Sequence, residues 1–374
     1  MSRAQLTSTV EQNGGGVIAP VVAGKNRIIN GQFEIDQRNS GASISVTNGN
    51  SAYGVDRWLW EYGGSATGVT LQQVSDAPAG FLNSLKLTVG TGASVGAGNY
   101  LDIEQPIDGL TWSDTAYGTA NAKTTTLSFW VKSSIAGIYG VCLQNAKSGA
   151  TRSFSAPYTI NSANTWEYKT ITVPGDTSGT WVNTNTCALN VIFAAGVGSN
   201  YLTSTINSWK GSGFSFPNTT TNTIISTSGA TIQWTGIQLE LGSVATPFAR
   251  AGGTLQGELA LCQRYFYIKN GANGASGTSE MIGLGTFYNS TIFRCPLQFP
   301  VQMRTAPSFV SANAASYFQI LGNSTNNLYS TVTLDYSTPT ACNLNVAVSS
   351  ATGGQSAWLQ TNSGSSFLQF SAEL

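Results

Sequence analysis

The chain has 374 residues, with 17 Lys and Arg balanced by 17 Asp and Glu, and charged side chains make up only 9% of it. That balance, with no basic cluster, argues against a nucleic-acid partner, whose affinity would rest on cations neutralising phosphates, and it offers nothing to hold an anionic membrane surface. Hydrophobic residues are 41% of the chain, enough for a sizeable core. The length suggests two domains, and so little surface charge hints at permanent assembly.

Residues 1–24 contain Gly14-Gly15-Gly16 and the apolar patch Val17-Ile18-Ala19-Pro20-Val21-Val22-Ala23, without helical or strand alternation over a useful length. They read either as an unstructured tail or as an arm that becomes ordered against a partner. No signal-peptide pattern opens the chain, and no apolar run of roughly 18 residues is present, so folding in a cytosol without membrane insertion is expected. Cys142, Cys187, Cys262, Cys295 and Cys342 are odd in number, widely spaced and free of any Cys-x-x-Cys. They read as reduced, buried small hydrophobes.

From Asn26 onward, segments rich in Val, Ile, Thr, Phe, Tyr and Trp are separated by Gly, Ser and Asn clusters. Leu127, Phe129 and Val131 alternate with Ser128, Trp130 and Lys132, and Cys187, Leu189, Val191 and Phe193 alternate with Ala188, Asn190 and Ile192. A period of two needs one face against a second sheet, so 25–250 is predicted to be a β-sandwich. In 251–264, Leu255, Leu259 and Cys262 fall on one stripe of a short linker helix. Residues 265–374 return to strands, with turns at Asn270-Gly271-Ala272-Asn273-Gly274, Gly322-Asn323-Ser324 and Ala351-Thr352-Gly353-Gly354. Pro296, Pro300 and Pro307 cannot all lie in central strands. This block is predicted to be a second, smaller β-sandwich, which makes the chain all-β.

Several strings carry a resemblance. Asn26-Arg27-Ile28-Ile29-Asn30-Gly31-Gln32-Phe33-Glu34 opens the first block and Gly236-Ile237-Gln238-Leu239-Glu240-Leu241-Gly242-Ser243-Val244-Ala245-Thr246-Pro247-Phe248 closes it. Between them lie Tyr53-Gly54-Val55-Asp56-Arg57-Trp58, Thr126-Leu127-Ser128-Phe129-Trp130-Val131-Lys132-Ser133 and Trp166-Glu167-Tyr168-Lys169-Thr170-Ile171-Thr172-Val173-Pro174-Gly175-Asp176-Thr177. Beyond them come Gly257-Glu258-Leu259-Ala260-Leu261-Cys262-Gln263-Arg264-Tyr265-Phe266-Tyr267, Val301-Gln302-Met303-Arg304-Thr305-Ala306-Pro307 and Phe370-Ser371-Ala372-Glu373-Leu374. In this order they resemble the tail-fibre and receptor-binding proteins of bacteriophages that carry jelly-roll, carbohydrate-binding-module-like domains. The resemblance implies a virion protein assembled in the host cytoplasm as a homotrimer. Residues 1–24 would be the arm that meets other virion proteins, and 265–374 the receptor-binding domain for host cell-surface polysaccharide. A capsid decoration or head-fibre protein is the alternative, and a polysaccharide depolymerase a third.

The chain contains no histidine. Ser-His-Asp triads, Cys-His dyads and His-ligated zinc or iron are therefore excluded, and no phosphate-cradling Gly-rich loop precedes a helix. Glycoside hydrolysis needs only two carboxylates. Glu34 with Asp36, and Asp102 with Glu104, are spaced so that both side chains leave one face of a strand. Such pairs are more often solvated strand residues than an acid and a nucleophile, so no catalytic residue is assigned and the chain is expected not to be an enzyme.

No cofactor is expected beyond a structural calcium. The family resemblance implies one held by the Glu of the Asn-Gly-x-Phe-Glu segment, which is Glu34, but the carboxylates such modules supply from their last strand are missing in Trp234-Thr235-Gly236-Ile237. Aromatic rings are sugar platforms as well as core. Trp58, Trp60, Tyr62, Trp130, Trp166 and Trp234 sit inside strand patterns and read as structural. Tyr288, Tyr317, Tyr329 and Trp358 lie beside polar loop-like stretches of the last block and are the candidate ligand contacts.

Overall fold

The computed structural model describes residues 24–145, 152–211, 213–220, 223–270, 280–312, 314, 316–322, 325–349 and 351–374. The expected attachment arm, apart from Gly24, and most of the turn expected at 270–274 lie outside the described residues. The chain is all-β, with strand over 45% of it and helix over 7%.

Two sheets face each other in the first sandwich. One runs in the order Ile44–Ser45, Thr70–Val74, Ser84–Thr88, Thr231–Leu241, Thr125–Ser133, Glu167–Val173, and the other Trp209–Lys210, Ser153–Ile160, Gly137–Gln144, Cys187–Val197, Tyr100–Asp108, Leu59–Gly63, Asn50–Tyr53. Every pairing within these two sheets is antiparallel. Leu127, Phe129 and Val131 point inward from one sheet and meet Leu101, Ile103, Val141, Val191 and Phe193 from the other. Burying each ring or branched chain removes apolar surface from water, worth about 2–3 kcal/mol apiece.

The strand Cys187–Val197 departs from its predicted half-solvated pattern, because it is buried on both faces. Its outward Ile192 and Ala194 join Cys142, Val197 and Phe216 in a separate apolar cluster, flanked by Tyr100, Tyr201, Leu202 and Phe214. The segment around Leu202–Thr203 and Phe216–Pro217 therefore lies over that face.

The opening bracket is not a strand. Residues 28–32 turn, with Asn30 at φ 58° and Phe33 at φ 55°, so the alternation expected of a first strand is absent. Its polar residues replace strand ladders with side-chain bonds instead. Asn26 accepts from the backbone N–H groups of Ile28 and Leu239 and donates to the carbonyls of Ile237 and Ala249. Asn30 donates to the carbonyls of Ile35 and Asp56. Gly31 is required by close approach, since a Cβ there would sit 2.1 Å from the Ile237 carbonyl oxygen.

In the second sandwich a seven-stranded sheet, ordered Thr325–Tyr329, Phe318–Gly322, Ser356–Thr361, Met281–Phe287, Ile292–Gln298, Ala341–Ala347, Thr333–Ser337, is faced by only three strands, Phe266–Asn270, Phe367–Ser371 and Ser308–Ser311. Phe293, Phe318, Leu344, Leu359, Leu368 and Phe370 form its core. Pro296 does sit inside an interior strand. It faces Asn343 on one side, while pairing to Met281–Phe287 is confined to Phe293 and Arg294, so the missing N–H interrupts no ladder there.

The helix Leu255–Gln263 is where the sequence places it, capped by Thr254, whose hydroxyl accepts from Gly257 N–H at 3.0 Å. Its buried stripe is shifted from the predicted one: Glu258 and Cys262 are inside, and Leu255 is exposed. The reason is polar. Glu258 accepts from the backbone N–H groups of Asn30 and Gly252, which fastens the helix to the opening turns. The chain end closes the joint. Glu373 pairs with buried Arg57 and with Arg38, Arg57 lies 3.6 Å from the Tyr265 ring centroid, and Arg304 donates to the carbonyls of Asn185, Ala372 and Glu373.

Candidate functional site

Glu34 and Asp36 do not share a strand face. Both Glu34 oxygens are taken by Arg250, at 2.6 and 2.7 Å, and Gln32 donates to one of them at 2.7 Å. Asp36 instead closes a turn by accepting from the backbone N–H groups of Asn39 and Gly41. Among the described residues no group of three or more Cys, Asp or Glu could hold a metal ion. A guanidinium already occupies the carboxylate that calcium would need, so this donor set does not fit a calcium site.

Asp102 and Glu104 do share one face of Tyr100–Asp108, opposite Ala194 and Ile192 respectively. That face is the covered one: Asp102 is 0% exposed and Glu104 2% exposed, and the Asn190 amide donates to Glu104. A sugar bond has no open path to both.

The aromatic residues of the first sandwich divide. Trp58, Trp60, Tyr62 and Trp234 are buried in its core, as their strand patterns imply. Trp130 and Trp166 are half-buried: Trp130 lies on the outward side of the six-stranded sheet, opposite Tyr168, and Trp166 stands just before the edge strand.

The four tyrosine and tryptophan candidates of the second sandwich are not gathered into one site. Tyr317 and Tyr329 are half-buried and pack against its core. Trp358 is 42% exposed, but the residues opposite it across the strands are Leu284 and Leu321. These three make an apolar row on the outer face of the seven-stranded sheet, and the next row, from exposed Met281 to exposed Leu328, passes through Gln360 and Gln319, whose side chains hydrogen-bond each other. Tyr288, 61% exposed at the hairpin after Met281–Phe287, has the Arg294 guanidinium 4.0 Å from its ring centroid.

Sequence reasoning missed the partner of Tyr288. Tyr336 is 76% exposed and stands 5.9 Å from the same guanidinium, which also pairs with Asp335 at 3.2 Å. Alternation along Thr333–Ser337 would send Tyr336 toward the core with Leu334. A bulge between Asp335 and Ser337, with Tyr336 at φ 45°, turns it outward instead. A bulky residue in the left-handed region is strained, and such strain persists where the surroundings impose it, often at binding sites. No Gly or Pro at 336 announces the bulge. The arrangement is two outward rings about one neutralised cation: flat apolar surfaces with hydrogen-bond donors and acceptors between them.

No family model matches the chain, and no curated protein matches it by sequence. Solved structures with a similar chain path do occur. One is the enzymatically active domain of tailspike protein 4 from bacteriophage CBA120, at 15% identity and a TM-score of 0.33, covering 58% of this chain and 22% of that one. Another is the xylan-binding CBM22-1 domain of Xyn10C from Paenibacillus barcinonensis, at 10% identity and a TM-score of 0.28, covering 60% of this chain and 98% of that one. A third is the family 11 carbohydrate-binding module of a cellulosomal cellulase from Clostridium thermocellum, at 16% identity and a TM-score of 0.29, covering 54% and 96%. The chain thus spans less than a quarter of the tailspike chain it matches. Nothing about its own ligand rests on these similarities.

Proposed function

We propose that this chain is a bacteriophage virion protein, a trimeric tail fibre or receptor-binding protein, that attaches to host-surface glycans through its second sandwich and leaves them chemically unchanged. The observation that carries the glycan reading is the exposed pair Tyr288 and Tyr336 about Arg294 and Asp335. Each ring can cover the apolar face of a pyranose, while the guanidinium and carboxylate bond its hydroxyls. Single contacts of this kind are weak, and several copies on one particle multiply them into avidity.

The virion role is supported by the ordered family strings. The trimer is supported by the outward apolar row of Leu284, Trp358 and Leu321, which a neighbouring subunit would cover. On this reading Trp358 serves assembly more than ligand contact. A head-mounted decoration protein is the second reading, and the same low-charge, strand-built chain favours it equally; imaging of the particle separates the two.

Antibody fragments against 280–374 are expected to block adsorption of the particle, and unchanged adsorption contradicts the receptor role. Loss of adsorption on Tyr288→Ala with Tyr336→Ala, in a particle that still assembles, places the contact at these rings.

A further inference from the structure

The outward side of the six-stranded sheet carries a second set of rings. Tyr168 on the edge strand lies opposite Trp130, with ring centroids 5.4 Å apart and planes inclined at 48°. Trp166 stands just before this strand, which begins at Glu167, and its contacts with Asp76 and Lys132 set it on the same side. Its indole N–H reaches Asp76 at 3.4 Å, and the Lys132 ammonium stands 5.2 Å from its ring. Asp76 is the hub: it pairs with Lys132 and accepts from the Gln233 amide at 3.2 Å.

Backbone makes room for this surface. Gly236, at φ +60°, lies at the register shift between Thr235 and Gln238, where a Cβ would stand 2.7 Å from Phe81 and 3.2 Å from Trp130. Trp130 therefore rests directly over the backbone beside Phe81, which packs in turn against Phe248 at 5.4 Å. One flank of the ring is held, and Tyr168 remains 44% exposed beside it, with the exposed hydroxyls of Thr170 and Thr172 continuing along the edge strand.

We propose that the face formed by Trp130, Tyr168 and Trp166 is a second binding site, on the first sandwich, for an uncharged saccharide chain. This rests on the glycan-binding reading and deepens it. The ligand class follows from the charges and the polar atoms present. The ions that touch the rings, Asp76 and Lys132, pair with each other, Glu167 beside them pairs with Lys169 at 2.6 Å, and Lys86, opposite Gln233 on the same face, is a single further cation and not the basic cluster a polyanion needs. What remains are rings, hydroxyls and an amide, which complement sugar faces and sugar hydroxyls. Because Trp130 and Tyr168 face each other across strands and Trp166 lies beyond them, a linear chain would pass along the sheet edge and meet rings in succession.

The test is native gel electrophoresis of the full chain through galactomannan, laminarin or dextran, with alginate as the anionic control. Retardation by at least one neutral polymer and not by alginate is expected. Tyr168→Ala with Trp166→Ala should weaken it on the order of tenfold, and Tyr168→Phe should retain it, while the melting temperature stays that of the unaltered chain. Tyr288→Ala with Tyr336→Ala should leave this retardation in place. If the Tyr168 and Trp166 variant is retarded like the unaltered chain while the Tyr288 and Tyr336 variant is not, the second site is overturned and the function proposed above stands. If no neutral polymer retards the unaltered chain, the second site falls. A lower sedimentation coefficient for the Tyr168 and Trp166 variant would assign the face to subunit contact and overturn it as well.

Discussion

The two sandwiches of this chain differ in how completely their paired sheets cover each other. In the first, two broad sheets of six and seven strands cover each other, and Trp58, Trp234, Phe129 and Phe193 are sealed between them. In the second, three strands face seven, and the outer side of the larger sheet shows Leu284, Trp358 and Met281 to solvent, with Tyr288 and Tyr336 at its margin. Two full sheets have enough inward surface to absorb their rings; an unequal pair leaves apolar positions for a partner to cover. On the proposed function the first sandwich is the closed body and the second offers the surface for other molecules, with the edge patch at Trp130 and Tyr168 as the first sandwich's own exception.

The joint between them is the sharpest place to break this contrast. Glu373→Ala would leave Arg57 buried without its carboxylate, and removal of one partner of such a pair costs about 3–5 kcal/mol. Urea unfolding should then show two separated transitions in place of one, and an unaltered single transition would mean the sandwiches do not depend on this contact. Trp234→Ala, in the closed core, should cost about 3–5 kcal/mol by the same measurement. Trp358→Ala should change monomer stability by about 0.5 kcal/mol or less, as expected of a surface position, yet Leu284→Asp should shift sedimentation from trimer to monomer. Equal costs at 234 and 358 would erase the distinction between the two regions.

A smaller effect concerns acidity at the same joint. Burial raises the Asp56 carboxyl to about 7, against the lowering pull of Arg38 and of the two hydrogen bonds from Gln37. Glu373 and Cys262 also lie within its electrostatic reach. A carboxyl that binds its proton more tightly when folded stabilises the fold most below its unfolded value near 3.9, and that contribution declines as pH rises through about 7. Asp56→Asn should therefore reduce the loss of melting temperature between pH 5 and pH 8. An identical pH profile in the variant would show that Asp56 does not titrate in that window.

Much of the architecture was legible in the residues. Alternation at Leu127, Phe129 and Val131 gave the strand and its inward face, and the spacing of Leu255, Leu259 and Cys262 gave the helix. What misled was context. Asn26 to Glu34 looks extended, but its Asn side chains satisfy backbone groups that a sheet ladder would otherwise serve, and Gly31 permits a contact no pattern encodes. Glu258 lies on the buried stripe because two backbone N–H groups wait for it. Tyr336 was invisible because a bulge without Gly or Pro reverses the face of one residue. Trp130 and Trp166 read as structural, although the alternation that turns Leu127, Phe129 and Val131 inward already sets Trp130 on the opposite face, and Gly236 marks where its ring needs space.

The most direct test of the whole account is an array of bacterial surface polysaccharides probed with the full chain and with its Tyr288→Ala, Tyr336→Ala variant, each bound spot then assayed for new reducing ends. The account predicts that the unaltered chain holds at least one saccharide, that the variant holds it at least roughly tenfold more weakly, and that the polymer is released intact. Failure of every retained saccharide to depend on the two tyrosines, or cleavage of a retained polymer, would contradict it.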